Sequence, residues 1–441
     1  MKYLVLLLLP INLFAAAFSY SGDWRAEVAL DHDLSLNKNN PGTVSNDYAT
    51  GSNGAPLMPN AVSRTKTYWL QRFKLKPELI VYDNVRIESE WILLAGSALN
   101  STNMGGNTNN MVAGGVMGSD NVHANLSVRR AWLNWSSDWG VFTMGRQPFN
   151  FGLGMVFNSG DALWDYYGDS VDRIAYKMMM GDVYFQLGYD IRSEGAVNYA
   201  GDDHSSLMTQ IGYMEPEANM ELAFMWYFKF GSYGERIHTY DFFQKKTFAA
   251  TNITLGIEAA YQKGTQFSLV NAGQLETLQA FGLLFEFDWA PSSIDLGFRT
   301  GLATGNNGNN DNKDYSFHFN RAYKIAMLMF NEDLGIAGDS VHGSQGIGAD
   351  FNNQGAVFFA PYIKWTMFEN FVWGNTIAYA ITQKSAQGGN KHLGLEWDTD
   401  FTYMWKDNLE TGIKYAMFFP AGYFPTRATA VGLMATVGLK F

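Results

Sequence analysis

The side chains in this 441-residue chain that could do chemistry are lysines, arginines and carboxylates set at alternate positions within apolar runs. Val183, Phe185, Leu187, Tyr189 and Ile191 alternate with Asp182, Tyr184, Gln186, Gly188 and Asp190. Leu393, Leu395, Trp397, Phe401, Tyr403 and Trp405 share one phase, and Glu396, Asp398, Asp400 and Met404 the other. Nothing in this set reads as an active site. There is no G-x-S-x-G nucleophile motif and no Ser/His signature of an outer-membrane phospholipase. The seven histidines contain no H-E-x-x-H and no paired ligand spacing. The Asn-rich tract 305–314 lacks the Gly and Glu positions of an EF-hand and reads as a polar loop. The chain is therefore expected to be no enzyme, with no metal and no cofactor. The absence of cysteine excludes a disulfide framework and Cys-ligated zinc. A net charge of -11 excludes a sequence-independent nucleic-acid binder, which needs a basic face. The charges are left with electrostatic work, on a solute or on one another.

The elements that must position them have a period of two, which is that of strands. Successive strand side chains face opposite sides, so each run has one apolar and one polar or mixed face. Rings stand at both ends of apolar faces, as in Trp397 with Trp405 and Trp226 with Phe230, which is the pattern of membrane-interface girdles. Connections also alternate in length. Tight turns at 138–140, 181–182, 215–217, 290–292 and 406–408 are interleaved with long Gly/Asn/Ser/Asp segments such as 37–63, 97–121 and 305–354. The expectation is an all-β fold, a transmembrane antiparallel up-and-down β-barrel with long outer loops and short periplasmic turns. Strands are placed near 24–36, 64–77, 84–96, 122–136, 140–147, 171–180, 182–192, 206–214, 218–230, 237–247, 252–263, 277–289, 293–304, 355–367, 371–383, 393–405, 408–418 and 429–441. That is eighteen, with sixteen the alternative count. Residues 322–330 also read as strand but would break the even parity, so they are assigned to the long outer loop.

The chain ends carry their own signals. Lys2, the apolar runs 4–9 and 11–18, and Ala15 with Ala17 describe a secretory signal peptide over 1–17, leaving 18–441 as one barrel domain. Val431, Leu433, Ala435, Val437, Leu439 and Phe441 alternate to a terminal ring. This resembles the signal read by the outer-membrane assembly machinery, which makes that machinery an expected partner through Phe441.

The hairpin Arg130-Ala131-Trp132-Leu133-Asn134-Trp135, turning at Trp139-Gly140 into Thr143-Met144-Gly145-Arg146-Gln147-Pro148, resembles bacterial porin-like and alginate-export-like barrels. Phe151-Gly152-Leu153-Gly154 and Arg72 followed by Lys74, Lys76 and Pro77 fit the same pattern. The resemblance covers these motifs and the architecture, not the whole chain. It implies an eighteen-stranded passive channel in the outer membrane of a Gram-negative bacterium, surrounded by outer-membrane lipid. Small hydrophilic or charged solutes would pass through it, or a polar polymer such as a polyanion would be exported. It does not imply alginate as the substrate. The alternatives are a structural or adhesin barrel with a plugged lumen, or a rim-located hydrolase. The oligomeric state is left open.

A charge on the lipid face costs about 2–4 kcal/mol at the midplane for Arg or Lys, which fixes the phase of each strand. The basic pore-lining candidates are then Lys66, Arg72, Lys74, Arg86, Arg173, Lys177, Arg299, Lys364 and Lys414. The acidic ones are Glu88, Glu90, Glu258, Glu286, Asp288, Glu396, Asp398 and Asp400. They could form opposed walls that orient solutes, or salt bridges that pack a narrow interior. The aromatic and acidic connection 148–172 suits a loop folded inward as a constriction, with Asp161, Trp164, Asp165, Tyr166 and Asp169 as its working residues. Arg146 shares a phase with Phe142 and Met144, which requires either a bulge or a place at the rim.

Overall fold

The structure is a computed structural model that describes residues 17–33, 65–93, 102–103, 127–193, 204–231, 234–267, 274–306, 312–330, 354–384, 389–424 and 427–441. Its strands are β1 (Ala17–His32), β2 (Thr65–Tyr82), β3 (Val85–Leu93), β4 (Ser127–Ser137), β5 (Gly140–Pro148) and β6 (Ser170–Met180). They continue as β7 (Val183–Ser193), β8 (His204–Glu215), β9 (Met220–Gly231), β10 (Arg236–Phe248), β11 (Ile253–Phe267) and β12 (Leu275–Trp289). The last six are β13 (Ile294–Ala303), β14 (Ala356–Phe368), β15 (Phe371–Thr382), β16 (His392–Trp405), β17 (Leu409–Pro420) and β18 (Ala430–Lys440). Each pairs antiparallel with the next, and β18 pairs with β1 from Asp23↔Lys440 to His32↔Val431, closing an eighteen-stranded barrel. Two-residue segments at Thr102–Asn103 and Lys313–Asp314 add short pairings at β2 and β12. Closure leaves no free sheet edge, so every strand amide and carbonyl can bond within the wall.

Each of the eighteen expected strands is present. The first begins at Ala17 rather than near 24, because Ala17↔Ile80 to Gly22↔Leu75 prolong the β1–β2 ladder and Ser19 hydrogen-bonds Glu78 at 2.9 Å. Residues 1–16, which hold most of the expected signal peptide, lie outside the described residues, as do the expected loops 37–63 and 97–121.

The wall has the two faces that the alternation requires. Trp69, Trp135, Leu187, Ile211, Phe224, Ile413 and Leu433 point outward and are exposed, against the rule for a soluble protein. On β12 the outward rings Phe281 and Trp289 lie eight positions apart, about 26 Å along the strand. A tilt of about 40° shortens that towards 20 Å, comparable with the apolar band of outer-membrane barrels, about 25 Å. Among the described residues no helix is long and apolar enough to cross a membrane.

The core of this molecule is therefore the lumen. Two segments from the long-connection end run through it, 149–169 between β5 and β6 and 315–330 between β13 and β14. Phe149 and Phe151 pack on Tyr184, Met208, Met225, Tyr227 and Phe243 of the wall. Phe317, Phe319, Leu328 and Met329 pack on Leu284, Phe358 and Phe418. Residues 322–330 form no strand. Asn320 joins the two segments, with its amide bonded to the Met155 carbonyl at 2.7 Å and its side chain to the Val156 carbonyl and Asp169 at 3.0 and 2.6 Å.

Candidate functional site

The lumen charges divide by what they touch. Arg25 donates to the carbonyls of Leu163 and Asp165 at 2.7 and 2.9 Å, and Arg72 to the same two at 3.0 and 2.8 Å. Both guanidiniums are fully buried, and Arg72 and Lys74 share Asp23 at 2.9 and 3.0 Å. Arg129 reaches the Gly168 carbonyl at 2.9 Å, and Arg130 the Asp169 carbonyl at 3.0 Å and Asp161 at 2.8 Å. Lys324 donates to the Trp164 carbonyl. Cations of β1, β2 and β4 thus hold the segment 159–169 by its carbonyl oxygens, where charge-assisted bonds are about twice as strong as neutral ones.

Carboxylates do the converse. Glu258 on β11 accepts the amides of Leu153, Met155 and Val156 at 2.5, 3.3 and 3.3 Å. On β16, Glu396 accepts those of Leu328 and Met329, and Asp398 that of Met327 at 3.0 Å. A chain folded into a lumen has no ladder for its peptide groups, and an unmet buried amide or carbonyl costs about 1–3 kcal/mol. The wall charges meet that need, and the segments in turn shield those charges from one another.

The remaining candidates sit as follows. Lys66 lies opposite Asp31 in the β1–β2 register. Arg86 pairs with Glu78 at 3.3 Å, Glu88 accepts from Asn134 at 3.2 Å, and Glu90 bonds Arg129 at 2.8 Å. Arg173 is clamped by Asp190 at 2.5 Å and stacks on Phe149 of the infolded segment. Lys177 lies 4.1 Å from the Tyr184 ring. Arg299 pairs with Glu286 at 3.7 Å, and Glu286 accepts from Tyr323 at 2.6 Å. Asp288 accepts from Tyr362, whose ring lies 5.4 Å from Lys364. Asp400 faces Lys414 in register, and the Lys414 ammonium lies 5.6 Å from the Trp164 ring. Of the infolded five, Trp164 donates to Glu410 at 2.6 Å, Tyr166 to Glu27, and Asp169 accepts the Asn158 amide at 3.0 Å. Asp165 stands 4.0 Å from Lys324. Arg146 takes the rim alternative: it faces outward and pairs with Asp172 through two bonds of 2.8 and 2.6 Å.

Sequence reasoning missed Arg25, Glu27, Asp23, Arg129 and Arg130. The first three were findable, since Asp23, Arg25, Glu27, Ala29 and Asp31 alternate in one phase. Arg129 and Arg130 both reach inward because the β3–β4 register slips between Glu90 and Trp91, which alternation cannot show. Arg86, Arg299, Lys324, Lys364 and Asp161 remain exposed on the lumen side. Contacts with the Trp164 carbonyl, Asp165 and the Tyr166 ring take the Lys324 ammonium partly out of water. That desolvation brings its pKa down to about 7; Asp165 opposes the shift, and Arg25 and Lys414 add to it.

No protein-family profile and no curated protein sequence matches the chain. Solved structures do. Pseudomonas aeruginosa OccK5 (OpdH) matches with a TM-score of 0.56 and 10% identity over 96% of this chain and 98% of that one. P. aeruginosa OccK2 (OpdF), solved in complex with glucuronate, matches with 0.55 and 9% over 96% and 98%. P. aeruginosa OpdK with vanillate matches with 0.52 and 10% over 96% and 99%. At such identity the likeness is one of fold, and the fold is that of a porin-like outer-membrane β-barrel.

Proposed function

We propose that the protein is an outer-membrane channel for passive passage of small hydrophilic or charged solutes, with the infolded segments as its constriction. The observation that carries this reading is a closed eighteen-stranded barrel whose lumen keeps water-facing charges beside its infolded segments, namely Arg299, Lys324, Lys364 and Asp161. The segments would narrow the bore and these solvent-exposed charges would select among solutes, since charge in a narrow low-dielectric passage acts strongly. Glucuronate and vanillate, held by two proteins of the same fold, are small organic acids, which supports a solute of modest size over a polymer. In this reading residues 1–17 are removed on export, Phe441 is read by the assembly machinery, and the chain has no catalytic role. The Phe441 backbone pairs with Gly22 at 2.9 and 3.1 Å and its ring packs on Phe73 at the barrel seam. Swelling of proteoliposomes in isotonic solutions of small sugars and organic acids tests the proposal. Swelling that falls with solute size supports it, and none with folded protein present rejects it.

A plugged lumen is the second reading. It is favoured by the apolar packing of Phe317, Phe319, Leu328 and Met329 on the wall, all of them buried. It predicts a barrel that inserts but passes neither solute nor ion.

A further inference from the structure

The outward face carries charges that a channel does not need. Across β9 to β12 the paired residues Trp226, Tyr240, Tyr261 and Phe281 form an outward row of four rings near the long-connection end. One same-face position further towards that end stands Lys263, and one beyond that Arg236, both exposed and on adjacent strands. His238 lies between them, stacked on Phe228 with ring centroids 4.3 Å apart, and the Lys263 ammonium is 5.6 Å from the Tyr240 ring. Glu235, next to Arg236 in the chain, is turned away to Lys229 at 2.9 Å and His204 at 3.2 Å. Among the described residues no carboxylate forms a salt bridge with Arg236 or Lys263. Arg146 shows the contrast, since that outward arginine carries Asp172 as its own counter-ion.

A row of rings marks the boundary between hydrocarbon and headgroups. Each same-face step is about 6.7 Å along the strand, so the two cations stand at headgroup height. A guanidinium and an ammonium that no described carboxylate neutralises are complementary to phosphate, which takes a forked arginine and a point-charge lysine equally well. We propose that Arg236 and Lys263 bind the phosphate of an outer-leaflet lipid headgroup, seated against Tyr240 and His238. The proposal rests on the outer-membrane orientation read above.

The test uses the full chain in phosphatidylcholine nanodiscs doped with diphosphoryl lipid A or with its dephosphorylated form, and counts retained lipid by native mass spectrometry. Wild-type protein should retain the phosphorylated form preferentially. The double variant R236Q/K263Q should lose that retention roughly thirtyfold, each basic residue contributing about fivefold. K246Q, an outward lysine near the opposite end, should retain it in full, and heat-modifiable gel mobility shows that all three are folded. Equal retention by wild type and double variant would overturn the proposal, as would equal loss in K246Q. So would displacement of the lipid by excess inorganic phosphate at equal occupancy, which would assign a free anion instead. Protein that conducts ions but shows no lipid preference would overturn the lipid site and leave the channel standing. Lipid preference in protein that never conducts would uphold the site and count against the channel.

Discussion

Arg25 and Arg72 make one clamp, and its redundancy gives a sharp prediction. Each donates one bond to the Leu163 carbonyl and one to the Asp165 carbonyl. A hydrogen bond to a charged group contributes about 1.5–3 kcal/mol, so each arginine supplies about 3–6 kcal/mol and the pair about 6–12. In R25M or R72M both carbonyls keep one donor, and the segment should stay docked. In R25M/R72M both are orphaned, which adds about 1–3 kcal/mol for each, and the stretch around Ala162 should loosen against the wall while Arg129 and Arg130 keep hold of residues 168–169. The double effect should therefore exceed the sum of the singles, as expected for groups sharing partners. The barrel survives, because its ladders do not involve these side chains. The chain has no cysteine, so a spin label at A162C, an exposed position of the segment, reports cleanly. The singles should give near-wild-type spectra and the double a mobile one, with a larger unitary conductance. A double variant with wild-type spectrum and conductance would refute the clamp.

Three further outcomes are expected. Gly160 has φ +63°, and a Cβ there would meet the Tyr167 carbonyl oxygen at 1.7 Å, so G160A should displace the segment and mobilise the same label. The Lys324 pKa of about 7 means that its charge is present below that pH and lost above it; anion preference, read from reversal potentials, should fall as pH rises through about 7, and K324M should lack that step. Deleting Phe441 removes the ring on Phe73 and the final bonds to Gly22, and should reduce the heat-modifiable, membrane-inserted fraction of expressed protein.

The strands were legible because the physics that fixes them is local. A membrane wall allows one apolar face, so each strand states its own phase, and Glu396, Asp398 and Lys414 lie in the lumen phase that alternation assigns. For Arg146 alternation left a bulge or a place at the rim, and the residue takes the second, outward and paired with Asp172. What a lumen side chain touches is not local. Alternation leaves open whether Arg72, Lys74, Glu258 and Glu396 form open walls or pack a narrow interior; all four are buried, with Arg72, Glu258 and Glu396 bonded to infolded residues 91, 102 and 68 positions away in the chain and Lys74 paired with Asp23. For the segments 149–169 and 315–330, aromatic and acidic composition pointed to infolding of the first. Local alternation does not distinguish a loop from a strand in residues 322–330, because Tyr323, Ile325 and Met327 alternate as a strand would; the even strand parity does, and the segment lies off the wall with its amides on Glu396 and Asp398.

The claim that the bore stays open around its infolded segments is tested most directly by single-channel recording. Wild-type protein, shown folded by heat-modifiable mobility, is added to a planar bilayer under a salt gradient. An open bore gives unitary steps of fixed size and a reversal potential displaced from zero by the exposed lumen charges. A silent bilayer into which folded protein has demonstrably inserted would contradict it, and would mean that the packing of Phe317, Phe319, Leu328 and Met329 seals the barrel.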